Sequence, residues 1–104
     1  MAMNPTELIA ALDREYELPD GFIGQAREGK FDQLAFDRMM VLLNAQPAVG
    51  DEPVSGELIR LLWYLPWILE WQCQRIESEG QESGGLRNAE NAVFSQLERI
   101  LGLP

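Results

Sequence analysis

The chain contains no histidine, one cysteine (Cys73), one lysine (Lys30) and four valines among its 104 residues. Each shortage excludes something. Without histidine the commonest general base and the commonest metal ligand are missing, and Cys73 has no imidazole to activate it as a nucleophile. A lone cysteine cannot close an internal disulfide, and within an apolar helix it reads as a small buried hydrophobe. So few valines, and no run alternating apolar and polar residues over strand lengths, leave no basis for a β-sheet. The start, Met1-Ala2-Met3-Asn4, lacks a basic segment followed by an apolar one, so no signal peptide is expected and a cytoplasmic location is. The most apolar run, Leu58 to Trp71, holds Arg60 and Glu70 and at fourteen residues is shorter than a membrane span of roughly 20. Glycines 21, 24, 29, 84 and 85 match neither dinucleotide nor P-loop spacing, and Lys30 lies in no phosphate-binding loop.

Apolar residues make up 46% of the chain and charged ones 24%, a balance that supports one hydrophobic core and a single domain over residues 1–104. Seventeen acids face eight bases, for a net charge of −9. Such a body repels the phosphate backbone, which argues against DNA and RNA as partners, and it accelerates encounter with a basic protein surface. Residues 1–52 are the more acidic half, with ten acids and four bases.

Helical signals recur along the chain. Asn4-Pro5-Thr6-Glu7 combines an N-cap, a proline at the first helical position and a glutamate three residues after the cap, followed by a stripe of Leu8, Leu12 and Tyr16 to about Glu17. Phe22, Ile23 and Ala26 form a two-turn pattern closed by Gly29. A third helix is expected from about Phe31 to Ala45, with Phe31, Leu34, Ala35 and Leu42 on one side. Gln46 to Val54, with Pro47, Gly50 and Pro53, reads as a hinge, recognition loop or spacer before an N-cap at Ser55. From Gly56 to about Glu79, Leu58, Leu61, Leu62, Leu65, Leu69 and Ile76 share one face, while Trp63, Trp67 and Trp71 share the opposite one. Pro66 lies inside and predicts a kink or a break into two half-helices. After a glycine-rich linker over 80–85, Leu86, Ala89, Val93, Leu97, Ile100 and Leu101 define a last helix, with Phe94 flanking its stripe. The expectation is an all-α bundle of four to five helices around a central Trp/Leu-rich helix kinked at Pro66.

The tryptophans admit two readings. Large aromatics usually bury themselves, which would make the indoles core; if only the leucine face packs inward, they form an exposed patch of the kind that marks an interface, with Arg60 as a flanking cation and Tyr64 at the edge. Asp13, Glu15, Glu17 and Asp20 place four carboxylates in eight residues, a surface for a basic partner; they lack the loop, glycine and terminal glutamate of a calcium site, so no metal is expected. Glu70, set between Trp67 and Trp71, is expected to have a raised pKa if it is buried without a cation.

The function expected from these features is that of a non-enzymatic protein without cofactors that binds and occludes another protein with a basic surface, in an inhibitor, antitoxin or immunity-type role. Its partner-binding residues would be Trp63, Trp67, Trp71, Arg60, Asp13, Glu15, Glu17 and Asp20. In charge and helical class it is similar to the acidic four-helix colicin immunity proteins, with no aligned motif. The alternative is a structural or adaptor module that forms a homodimer through the Trp-rich helix. A third reading is a small enzyme or ligand-binding domain with an apolar pocket around the kink at Pro66.

Overall fold

Five helices form among residues 4–103, which the computed structural model describes: α1 (Pro5–Glu17), α2 (Phe22–Arg27), α3 (Gln33–Ala45), α4 (Gly56–Ser78) and α5 (Gly84–Leu101). At the start of α1 the Asn4 side chain accepts the Glu7 N–H at 2.8 Å, and its amide donates to the Glu7 carboxylate at 2.7 Å. The cap is the one the sequence implies. Asp32 plays the same part for α3, accepting the Ala35 N–H; this bond, above all, holds its carboxyl below the usual range. Because Asp32 is the cap, α3 begins at Gln33 and Phe31 belongs to the preceding loop, where its ring lies against Phe22 and Phe36. The inward face of α3 is Ala35, Met39 and Leu43; Leu34, expected beside them, points to solvent. At Ser55 the cap falls where expected but the hydroxyl makes no capping bond, and α5 starts at Gly84, inside the expected linker.

Pro66 does not break α4. The helix runs for 23 residues with the proline inside it, one backbone donor short. Its buried face, Leu58, Leu62, Leu65, Leu69, Cys73 and Ile76, joins Leu12 of α1, Phe22 and Ile23 of α2, Met39 of α3 and Val93 and Ile100 of α5 in one core. Helices α1, α2 and α5 pack directly on α4, while α3 packs on α1, α2 and α5. Helix α5 runs antiparallel to α4: Leu101 lies beside Trp63, and Arg87 meets Glu77. The 46–54 loop is tied down, since the Val49 N–H donates to the Ile100 carbonyl and Arg99 donates to the carbonyls of Leu43 and Gln46.

The turn from α1 to α2 is built by Glu15. Its carboxylate accepts the Phe22 N–H at 2.8 Å, satisfying one of the free donors that open α2, and it takes two bonds from the Arg38 guanidinium of α3 at 3.2 Å. The close approach also needs glycines: a Cβ on Gly21 would meet the Glu15 carbonyl oxygen at 2.5 Å, and one on Gly24 would strike the Leu18 carbonyl. Removing the buried Glu15 carboxylate leaves the Phe22 donor without a partner. Glu15→Ala is therefore expected to lower unfolding free energy in urea by about 2–3 kcal/mol, whereas Asp13→Ala, on the exposed side of α1, is expected to cost less than about 0.5 kcal/mol.

Candidate functional site

Only one face of α4 is covered. Trp63, Trp67 and Trp71 remain 55%, 46% and 50% exposed, and Tyr64 and Phe94 of α5 are exposed to a similar degree. The indoles are therefore not core, because the leucine face already supplies α4 with its buried side and no other helix crosses the tryptophans. Their spacing of four residues stacks them along the helix, with ring centroids 6.1 Å apart for Trp63 and Trp67 and 6.4 Å for Trp67 and Trp71. Tyr64 stands edge-on to both ends of the row, 5.4 Å from Trp63 and 6.2 Å from Trp71. These contacts hold the rings against one another before any partner arrives, which lowers the ordering entropy that binding would otherwise cost.

The two long edges of this aromatic face differ in charge. Toward α1, Arg60 and Tyr64 border a shallow depression with Tyr16, Arg27 and Leu61, so that edge carries two guanidinium groups. Tyr16 donates its hydroxyl to the Leu61 carbonyl, and burial pushes its phenol well up, with Arg27 opposing. Toward α5 lies a groove of about 420 Å³ walled by Trp63, Pro66, Trp67, Phe94, Leu97 and Leu101, with Glu70, Glu90 and Glu98 along it and no basic residue in its lining. The apolar hollow expected around Pro66 is this groove.

The acidic run of α1 is split by the fold. Asp13, Glu17 and Asp20 are exposed, but Glu15 is buried in the α1–α2 turn with both its oxygens engaged by Phe22 and Arg38, so the fold does not present it at the surface with the other three. Asp20 offers its backbone carbonyl to Arg38 and Gln25. The carboxylates nearest the tryptophans are instead those of α4 and α5, which sequence reasoning did not assign to the site. A helical wheel of α5 carries the signal: Glu90, Phe94, Leu97, Glu98 and Leu101 fall within about 100° of one another, a second stripe beside the core stripe.

Glu70 is not an isolated buried acid. Arg87 of α5 bonds Glu70, Glu77 at 2.8 Å and Glu90 at 3.3 Å, so one guanidinium serves three carboxylates. A hydrogen bond from Glu90 holds the Glu70 carboxyl below its usual pKa, with Gln74 and Arg87 adding to the effect; the condition for a raised value, burial without a cation, is not met. Glu77, bonded by Arg87 and Ser83, is drawn down to about 2. Glu90 moves the other way. Burial, then the hydrogen bond that protonated Glu90 gives Glu70 and the charge of Glu70, push its carboxyl from 4.5 up to about 6; once ionised, its buried Oε2 has no donor. Burial also pushes the Cys73 thiol to about 11, so it stays protonated at neutral pH. No group of acidic, histidine or cysteine side chains able to hold a metal ion occurs among the described residues, and no helix there is long and apolar enough to cross a membrane.

No family model matches the chain, and neither a curated protein nor a solved structure matches it.

Stability should follow Glu90 in sign. Its raised pKa means the folded state holds this proton more tightly than the unfolded state, so the contribution is present below about pH 4.5 and is lost as pH rises through about 6. The groups facing it are Arg87 on its own helix and Glu70, Glu77 and Cys73 on α4. Glu90→Gln keeps the shape without the charge, and is expected to raise unfolding free energy at pH 7 by about 1–2 kcal/mol and to flatten the decline between pH 4.5 and 6. Urea titrations at four or five pH values would check this; a variant less stable than wild type at pH 7 would show that the ionised carboxylate is an asset to the fold.

Proposed function

We propose that this is a non-enzymatic binding protein that covers part of another protein with a basic surface, and that the tryptophan face of α4 is its contact. The observation that carries the reading is the row of three half-exposed indoles on a helix whose opposite face is fully engaged in the core. Since an aromatic side chain presents about 150–250 Å², the exposed halves of three indoles amount to on the order of 300 Å², worth about 7 kcal/mol if covered at 25 cal/mol per Å². That lies within the range association itself costs, about 4–15 kcal/mol. Tight binding must therefore draw on Tyr64, Phe94 and the charged edges as well. Aromatic anchors with arginine beside them, ringed by polar groups, are the composition of interface hot spots.

The division of labour follows from the charges. A net charge of −9 steers a basic partner into encounter, and the aromatic row slows its release. Occlusion of a basic active surface, as by an inhibitor, antitoxin or immunity protein, is the role that suits such a body. A homodimer through the same face is the second reading, favoured by the two-sided apolar character of α4 alone.

Because the indole of Trp67 is half in water, Trp67→Glu is expected to fold, with an unchanged far-ultraviolet spectrum and a stability change below about 1 kcal/mol. Immobilised on a column, the wild-type chain is expected to retain a basic protein from an extract of its source cells that Trp67→Glu fails to retain. Asp13→Lys is expected to slow that association and leave dissociation nearly unchanged. Equal retention by wild type and Trp67→Glu would remove the tryptophan face from the interface, and a dimeric wild type made monomeric by the same substitution would favour the adaptor reading.

A further inference from the structure

Resting on the reading of the tryptophan face as a contact surface, we infer that the groove between α4 and α5 seats a single amphipathic basic helix of the partner protein. Apolar side chains of that helix lie against Trp67, Phe94 and Leu101, and a lysine or arginine reaches Glu90.

Three observations converge on this occupant. The first is shape: along α5 the groove runs from Glu90 to Leu101, which at 1.5 Å per residue is about 16 Å, or three helical turns. A helix lying in a groove presents anchors at i, i+3 or i+4 and i+7 over about 10 Å, leaving one further turn to place a cation at the Glu90 end. The second is the acid at that end. Glu90 lines the groove as a buried acid; Arg87 donates to its Oε1, and once Glu90 is ionised and can no longer share a proton with Glu70 its Oε2 has no donor. A buried polar atom without a partner is costly, and a cation from outside would satisfy it. With Glu70 and Glu77 also served by the same guanidinium, the cluster holds three carboxylates against one positive charge, and Glu98 extends the negative wall.

The third observation excludes a second copy of the chain as the occupant. No helix longer than α2 carries a net positive charge, and two bodies of −9 would bring like charges together over the groove. The groove is half open to solvent, with room for the apolar side of a helix to lie along it.

The test is a titration of the intact protein with a synthetic helical peptide of about fifteen residues, leucine on one face and lysine on the other, read by tryptophan emission and calorimetry at about 0.15 M salt. Binding with a blue shift is expected for this peptide, with a counterpart carrying glutamate for lysine binding at least about tenfold more weakly. Glu90→Gln and Phe94→Ala are each expected to weaken binding about tenfold, and Asp13→Asn, the same charge change on α1, less than about twofold. Glu98→Gln serves as the second groove variant if Phe94→Ala does not fold. Equal loss in Asp13→Asn and Glu90→Gln would show a general field and no seat, and overturn the inference. So would equal binding of the two peptides, or octylamine binding as tightly as the lysine peptide. Loss of peptide binding in Trp71→Ala but not in Phe94→Ala would overturn the groove while leaving the tryptophan-face reading in place. Failure of the wild type to bind the lysine peptide at all would also overturn the groove, and the tryptophan face would then stand or fall on the retention experiment with Trp67→Glu.

Discussion

Helix α4 is apolar on two opposite faces, and the rest of the chain covers one. Everything else in the structure follows from which face is chosen. The leucine side, with Leu58, Leu62, Leu65 and Leu69 in register with the ridges of α1, α2 and α5, forms the core. Branched aliphatic side chains interdigitate at interior density more readily than a row of indoles whose N–H groups would each need a partner. The tryptophans are left outside, stacked on one another, and a hydrophobic surface persists on a folded protein that carries a large negative charge. The charge opposes, without excluding, association of such a surface with its own kind.

The remaining helices are positioned by polar groups that the core alone would not specify. Glu15 joins α1, α2 and α3 at one point, and Arg87 joins α5 to α4 through the carboxylates of Glu70 and Glu77. The two clusters differ in balance. Both oxygens of Glu15 accept hydrogen bonds; the Arg87 cluster has an excess of negative charge and, in ionised Glu90, an oxygen without a donor, and two of its carboxylates, Glu70 and Glu90, line the groove beside the tryptophans. The better satisfied cluster serves the fold, and the unbalanced one faces the surface with which a partner would react.

Much of the fold could be read from local signals, because these act within a few residues. Asn4 with Glu7, the Leu8–Leu12–Tyr16 stripe, Gly29 with positive φ after α2, and the leucine face of α4 all behave as their spacing implies. What could not be read required tertiary information. Glu15 looks like its exposed neighbours Asp13 and Glu17 until the α1–α2 turn folds over it. Leu34 has the spacing of a core residue on α3, but the inward face of that helix, capped by Asp32, is Ala35, Met39 and Leu43, and Leu34 points out. Pro66 threatens α4 by local rules, yet packing on both flanking turns keeps the helix in one piece. The site was half legible: periodicity isolates Trp63, Trp67 and Trp71, but whether they lie inside or outside depends on how many helices surround α4. The acids beside them come from α5, far away in sequence.

The exposure of the indoles in the free chain is the claim on which the rest depends, and iodide quenching of tryptophan emission, with the mass of the same sample taken by light scattering, tests it most directly. The expected result is a monomer whose emission lies to the red and is strongly quenched, since each of the three indoles is about half in water. A monomer with blue emission that iodide does not reach would place the tryptophans in the core and contradict the arrangement described above.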